Sequence, residues 1–341
     1  MKSIFFVTKT GPLYDIVLPL IEEQKDKKNI VIISTSPEVD LFFKNHTDLK
    51  VINLKVNPNL ITRKTKYKIV SNIVRSIIEY NKLFKNTTKS NVYFFGNSFS
   101  IVVFSYLKKL SKKNNVYHYF GAEYTKKSVE YPIEKGLRAY SMKWIAKWLL
   151  GVETTVRNNQ GVPFWKLDEK FYKKNHIEVR SIKKKVDKKY KPKIDVIEGK
   201  EILITTQDLM VYNYVDDVNF VQVLDSLMDL LDESFPDSFV IKPHPREKTL
   251  YGKMKDCKNI VPAYIPSEFL MDHKWKIIIG MFSTSLLSAS NLTNSMVISL
   301  VDLFKWNDEK HHQKWRAVME KGNVIIPKDF NELKHLLVRE K

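Results

Sequence analysis

Short apolar runs alternate with stretches of helical spacing along this chain, and the whole alternation occurs twice. Continuous apolar runs separated by helices are typical of parallel strands that helices cover on both faces. The sequence therefore predicts an α/β fold with two Rossmann-like domains. The first set of runs is SIFFVT (3–8), NIVIIST (29–35), LKVINL (49–54), NVYFFGN (91–97) and NNVYHYF (114–120), and the second is EILITTQ (201–207), FVIKP (239–243), KIIIG (276–280), MVISLVD (296–302) and NVIIP (323–327).

A lysine-rich segment separates the two sets. Lysine occupies seven of the eleven positions from 183 to 193, which is typical of a solvated linker, with a strip facing a membrane or a polyanion as the alternative. A chain of 341 residues also suits two domains better than one core. We expect domains at 1–175 and 200–341, a linker at 176–199, and a cleft lined by the carboxyl ends of strands.

The amino-acid composition limits the classes of binding partner and the cellular compartment that we expect for this protein. A net charge of +19 favours nucleic acid, an anionic membrane surface or a phosphorylated substrate. The single cysteine, Cys257, excludes a disulfide framework and fits a reducing compartment. The N-terminus does not have the apolar stretch of a signal peptide, and no run reaches the roughly 18 apolar residues of a membrane span. We expect a cytoplasmic protein, or one that is peripheral on the inner face of the cytoplasmic membrane.

The stretch FVIKPHPREK (239–248) places a histidine between two prolines at the end of a predicted strand. Prolines end strands, so Lys242, His244 and Arg246 are presented from a rigid turn. Two cations and an imidazole in such a turn suit a phosphate, to which a charged histidine also gives a proton. A histidine that only hydrogen-bonds locally at the strand end is the alternative.

The stretch GMFSTSLLSASN (280–291) has a related design. Gly280 ends a predicted strand, and Ser283, Thr284 and Ser285 then enter a helix. Hydroxyls and free backbone N–H groups at a helix N-terminus form an anion site, although an ordinary N-cap needs only one of these hydroxyls. Two anion-suited turns in the same half predict that the second domain binds a phosphate.

The KPHP turn followed by a Ser/Thr-rich turn resembles a known group of enzymes. It is similar to the bacterial lipooligosaccharide and capsule sialyltransferases and polysialyltransferases, which have the two-domain, B-type glycosyltransferase fold. The resemblance implies an acceptor-binding first domain and a second domain that binds CMP-sialic acid. It also implies that His244, in a His-Pro motif with Pro245, contacts or protonates the departing phosphate. Ser283, Thr284 and Ser285 would hold the phosphate or the donor carboxylate.

The sequence indicates the general base less clearly than it indicates the two anion-suited turns. The related enzymes usually carry two carboxylates followed by glycine in the first domain, whereas YHYFGAEYTKKS (117–128) offers one carboxylate, Glu123. A base must be a carboxylate or a histidine within reach of the acceptor hydroxyl. Glu123 is therefore the candidate base and Asp208, after the strand EILITTQ, is the reserve. His118 lies inside a strand, where alternation favours burial.

Other strand ends supply further candidates. Thr10 and Gly11 follow the first strand, Asn97 and Ser98 follow the fourth, and all four are acceptor-side candidates, whereas Gln207 is a donor-side candidate. The tryptophan-rich stretch 137–151 suits a core helix, or one that lies in a membrane interface. No HExxH, DxD or paired-cysteine pattern occurs, so we expect no metal and no cofactor.

The sequence thus predicts an inverting, metal-independent glycosyltransferase that moves sialic acid, or a related nonulosonic acid, from CMP to a cell-surface glycan or glycolipid. CMP-Kdo and CDP-glycerol are alternative donors, because phosphate-binding turns do not reveal the sugar. Two other classes stay open. A non-catalytic nucleic-acid-binding protein is favoured by charge alone, with no RNA-binding motif and no specific nucleic acid expected. The other is a phosphosugar-binding epimerase of the same two-domain build.

Overall fold

The computed structural model forms two compact units, Met1–Tyr190 and Lys191–Lys341. It describes residues 2–7, 10–24, 27–34, 36–53, 78–85, 87–95, 107–119, 129–132, 156–157, 163–167, 169–180, 191–207, 213–245, 247 and 250–339.

The first unit is built on a parallel sheet of six strands in the order β3-β2-β1-β4-β5-β9. The helices α1 (Val17–Glu22) and α2 (Pro37–His46) each follow a strand of this sheet, as the alternating sequence predicts, and residues 78–84 and 107–110 are also helical. The strands are β1 (Ser3–Val7), β2 (Ile30–Ser34), β3 (Lys50–Asn53), β4 (Asn91–Phe95), β5 (Asn115–Tyr119) and, later in the chain, β9 (Ile177–Arg180).

Aromatic side chains fill the core of this sheet. Phe5 stacks on Tyr93 with ring centroids 4.6 Å apart, and Phe6 stacks on Phe94 at 4.8 Å. Each pair joins residues in register on neighbouring strands. Such pairs contribute beyond the apolar area that they bury, and they fix the register of β1 against β4.

A small antiparallel sheet in the order β6-β8-β7 lies later in the first unit. Its strands are β6 (Val129–Pro132), β7 (Val156–Arg157) and β8 (Pro163–Leu167), and α3 (Glu169–Lys174) leads from it to β9. The sequence did not predict these strands, since none of them is a long apolar run. The predicted linker at 176–199 is wrong at its beginning. Residues 177–180 are not linker, because they pair with β5 as the edge strand of the first sheet.

The second unit has a parallel sheet in the order β11-β10-β12-β13, and nearly all of its strand residues are buried. Its strands are β10 (Ile202–Thr205), β11 (Phe239–Lys242), β12 (Ile277–Gly280) and β13 (Met296–Ser299), and its helices are α4 (Asp217–Ser234), α5 (Thr284–Leu292), α6 (Glu309–Lys321) and α7 (Phe330–Arg339). Short 3-10 helices occur at Gly252–Asp256, Ser267–Leu270 and Val301–Leu303. The α/β class with two parallel-sheet units is confirmed.

Two local features lie near the end of the chain. The predicted strand NVIIP is reduced to one parallel bridge between Ile325 and Ile298, because Pro327 has no N–H to continue the ladder. Two side chains cap the N-terminus of the last helix, α7. Asp329 accepts the amide of Glu332 at 2.9 Å, and the Glu332 carboxylate accepts the amide of Lys328 at 2.8 Å. Among the described helices, none is long and apolar enough to cross a membrane.

Candidate functional site

The strand order of the second unit reverses at β10. The chain passes from β10 to β11 on one side and then crosses to β12 on the other. Open α/β sheets bind ligands outside the carboxyl ends of strands at such a switch point. Thr205, the last residue of β10, is in register with both Lys242 and Gly280. The two turns that the sequence marks for anions therefore begin one strand spacing to either side of Thr205, roughly 4.8 Å each.

The His-Pro turn is closed by a residue that the sequence analysis did not single out. The Glu247 amide donates to the His244 carbonyl at 2.9 Å, and the Glu247 carboxylate accepts the His244 amide at 3.1 Å. The same carboxylate oxygen accepts the hydroxyl of Thr206, the residue that follows β10. Glu247 is buried, whereas His244 and Pro245 are partly exposed. His244 and Pro245 are thus accessible to solvent, whereas the carboxylate that holds the turn is buried.

Lys242 differs from its predicted role. The side chain is 3% exposed, and its ammonium donates to the carbonyl of Pro243 and, at 3.2 Å, to that of Ala263. Burial lowers its pKa to about 8, and the carboxylates of Glu268 and Glu247 partly oppose this shift. As the last residue of a strand covered on both faces, Lys242 extends into the interior, so it braces the turn instead of presenting a cation to a phosphate.

The Ser/Thr turn leads into α5 with its helix N-terminus open. Ser283 is the N-cap residue in an extended conformation, but its hydroxyl makes no capping bond and pairs instead with the Ser285 hydroxyl at 2.6 Å. The first turn of α5 contains no acidic residue. The amides at this helix N-terminus and two neighbouring hydroxyls therefore suit a negatively charged group.

Gly280 has a packing role at the same strand end. A Cβ at this position would lie 2.4 Å from the Thr205 hydroxyl and 2.9 Å from a methyl of Leu286. Only glycine lets β10 and α5 approach β12 this closely. Gly280 therefore sets the spacing of the strand ends from which the two turns begin.

Gln207 lies two residues beyond Thr205. Its side-chain oxygen is buried and accepts no hydrogen bond from the part of the chain that the structure describes. A buried acceptor that stays unpaired costs about 1–3 kcal/mol. This cost would be relieved by an N–H or O–H donor on a ligand at the switch point.

The other predicted positions divide into two groups. Thr10 and Gly11 are described, and Thr10 precedes a 3-10 helix and accepts the Leu13 amide at 2.9 Å. His118 is fully buried with its ring 3.2 Å from the Tyr172 hydroxyl, which confirms its predicted burial. The residues outside the described ranges are Glu123, Asn97, Ser98, Asp208, Arg246 and the stretch 137–151. Within the described ranges, no cluster of three His, Cys, Asp or Glu side chains could hold a metal ion.

Known proteins are similar to this chain in sequence or in structure. An uncharacterized protein of Haemophilus influenzae is 32% identical over 98 residues, which cover 28% of this chain and only 31% of that protein. The spinosyn rhamnosyltransferase SpnG with thymidine diphosphate matches all of this chain and 90% of its own, at 14% identity and a TM-score of 0.43. The UDP-GlcNAc 2-epimerase of Methanocaldococcus jannaschii matches all of this chain and 91% of its own, at 14% identity and a TM-score of 0.47.

A family model decides the relationship. The model described as alpha-2,8-polysialyltransferase (POLYST) matches residues 3–302, which include both turns at the switch point and nearly all of the first unit. This match confirms the resemblance that the KPHP and Ser/Thr turns carry. The chain belongs to the alpha-2,8-polysialyltransferase family of glycosyltransferases.

Proposed function

We propose that this protein transfers sialic acid, or a related nonulosonic acid, from its CMP donor to a cell-surface glycan. The observation that carries the proposal is the pair of turns on either side of Thr205, one with His244 and one with the open N-terminus of α5. A nucleoside monophosphate leaving group needs an anion site with a proton donor beside it. Family membership supports the same donor class.

In the proposed reaction the acceptor hydroxyl oxygen attacks the anomeric carbon of the donor sugar. The bond from that carbon to the phosphate oxygen breaks, and its electron pair leaves with CMP. Because the hydroxyl attacks from the face opposite the phosphate, the configuration inverts. Glu123 takes the proton of the acceptor hydroxyl. His244 protonates or hydrogen-bonds the departing phosphate, and the amides and hydroxyls at 283–285 stabilise its charge. CMP is already a good leaving group, so we expect positioning to suffice without a metal.

The charge distribution supports an anionic acceptor. Residues 1–190 contain 37 Lys and Arg against 16 Asp and Glu, a net charge of +21, whereas residues 191–341 contain 20 against 22, a net charge of −2. The basic excess thus belongs entirely to the unit that would bind the acceptor. A sialylated glycan or glycolipid of a capsule or lipooligosaccharide carries carboxylates that suit this unit, and an anionic membrane on the cytoplasmic side would be attracted to it too.

The first test is thermal stability with CMP, CDP, UDP and GDP. We expect a rise in Tm with CMP that is much smaller in His244→Ala. The matched control is His335→Ala, which changes an exposed histidine on α7 and should keep the full response. A response to CDP would favour the CDP-glycerol alternative, and one to UDP would contradict a CMP donor. Strong binding of arbitrary oligonucleotides without any nucleotide response would favour the nucleic-acid alternative.

The second test is transfer itself. Purified protein is incubated with CMP-sialic acid or CMP-Kdo and with sialylated or unsialylated oligosaccharides, and the release of CMP and the elongated product are both measured. We expect CMP-sialic acid to be consumed fastest with the sialylated acceptor. Turnover of a UDP-sugar without an acceptor would instead favour the epimerase alternative.

A further inference from the structure

We propose that Glu247 is a positioning residue for the transfer reaction, holding the backbone of His244 against the end of β10. The inference rests on the proposed function, because it assigns His244 to the leaving phosphate. Glu247 itself is given no contact with the donor.

Glu247 and His244 are joined by two hydrogen bonds across the turn. The amide of Glu247 donates to the His244 carbonyl at 2.9 Å, and the Glu247 carboxylate accepts the His244 amide at 3.1 Å. Two reciprocal bonds between the same two residues leave the four-residue turn little freedom. The position from which the imidazole extends is therefore set by Glu247.

Glu247 also connects this turn to the residue that follows the central strand, β10. The carboxylate oxygen that accepts the His244 amide also accepts the Thr206 hydroxyl, and the Thr206 amide donates to the Lys242 carbonyl at 3.1 Å. The turn after β11 is thereby fastened to the residue that follows β10. Since β10 is also in register with β12, the position of His244 is tied to the strand that leads to the Ser/Thr turn.

Burying the Glu247 carboxylate carries a cost in folding free energy. Glu247 is 9% exposed, and a buried carboxylate is retained only where its acceptor capacity is used. The ammonium of Lys242 lies in the same interior region, where it donates to the Pro243 carbonyl. Two buried side chains thus hold the start of the turn, Lys242 at the Pro243 carbonyl and Glu247 at the His244 amide. A 1 Å displacement of a reacting group can cost about 100-fold in rate. Holding the backbone of His244 in place would therefore favour the proposed reaction.

The experiment compares Glu247→Ala, Glu247→Gln and Thr206→Val. The hydrogen bonds from Thr206 and from the His244 amide reach the same carboxylate oxygen, so glutamine keeps an acceptor oxygen for them and removes the charge. We expect Glu247→Ala to lower kcat by about 10- to 100-fold, with a much smaller change in KM for the donor. Glu247→Gln should recover most of this loss, and Thr206→Val should fall between. The matched control is Glu332→Ala, which removes a carboxylate that accepts the backbone amide of Lys328, just before α7, and should leave kcat unchanged.

A second readout does not depend on activity. In protein labelled with 15N-histidine, the His244 imidazole signals are assigned by their loss in His244→Ala. We expect Glu247→Ala to shift or broaden these signals while the other seven histidines keep theirs, and we expect Glu247→Gln and Glu332→Ala to leave them in place.

Three outcomes would overturn the positioning role: equal kcat losses in the glutamine and alanine variants, full kcat in Glu247→Ala, or an unmoved His244 signal in that variant. If the wild type transferred nothing from any CMP donor and did not respond to CMP, the proposed function would fail. The histidine signals would still decide whether Glu247 holds the turn.

Discussion

The hydroxyl of Thr205 occupies the space that a Cβ on Gly280 would need, 2.4 Å from that position. The two residues end adjacent strands and are in register. Their contact sets how closely the strand before Gln207 approaches the strand before the Ser/Thr turn.

Gly280→Ala should therefore destabilise the second unit. The new methyl must displace the Thr205 side chain and a methyl of Leu286, and overpacking of this kind costs about 1–3 kcal/mol. Chemical denaturation measures the loss, and a background of Thr205→Ala should return part of it, because the obstructing hydroxyl is gone. Gly11→Ala is the control, since nothing lies within 4 Å of its Cβ position, and it should change stability by less than about 0.5 kcal/mol. Equal effects of the two substitutions would contradict the steric account.

Ser283→Ala should weaken CMP binding more than it weakens the fold. The Ser283 hydroxyl pairs with Ser285 and does not cap α5, so its removal leaves the helix hydrogen bonds intact. We expect a loss of about 10- to 150-fold in CMP affinity, as for one hydrogen bond to a charged group. Isothermal titration measures the affinity and thermal unfolding the stability.

Ser290→Ala provides the comparison within the same helix. Its hydroxyl donates to the Leu287 carbonyl at 3.0 Å, and Ser290 lies nearly two turns from the helix N-terminus. CMP affinity should be unchanged in this variant. If Ser283→Ala bound CMP like the wild type, the turn would not be the phosphate site.

Lys242 should give the protein an unusual pH dependence of stability. Its pKa is lowered from 10.5 to about 8 by burial. Between those values the unfolded chain still binds a proton that the folded chain has released, so the free energy of unfolding rises with pH across this window. One pKa unit corresponds to about 1.4 kcal/mol, so the full gain is on the order of 3 kcal/mol.

Urea denaturation at pH 7.5, 9 and 10 measures this gain. Lys242→Met removes the titrating group and should lack the rise, while other lysines and tyrosines contribute equally to both proteins. Parallel curves for the two proteins would show that the Lys242 ammonium is not buried as described.

Glu123→Gln should abolish most transfer while the donor still binds. Loss of a general base typically costs about 100- to 10,000-fold in rate, whereas the proposed function assigns the binding of CMP to the second unit. Asp208→Asn tests the reserve base in the same assay, with CMP affinity as the internal control. A larger loss in Asp208→Asn than in Glu123→Gln would exchange their roles.

Much of this protein was determined by the sequence alone. Apolar runs of strand length predicted both parallel sheets, because side chains buried on both faces of a sheet must be apolar whatever their neighbours are. The KPHP turn and the Ser/Thr turn were also visible, since proline, glycine and hydroxyl residues control the backbone locally. These local signals were sufficient to indicate the family.

Only the tertiary structure decided what surrounds those turns. Lys242 was expected at the phosphate, but the depth of its strand end turned the ammonium toward two carbonyls. Glu247 and Thr206 are 41 residues apart, and their hydrogen bond exists because β10 and β11 are neighbours in the sheet. Strand order brings residues together across long stretches of chain, and neither composition nor local spacing records that order.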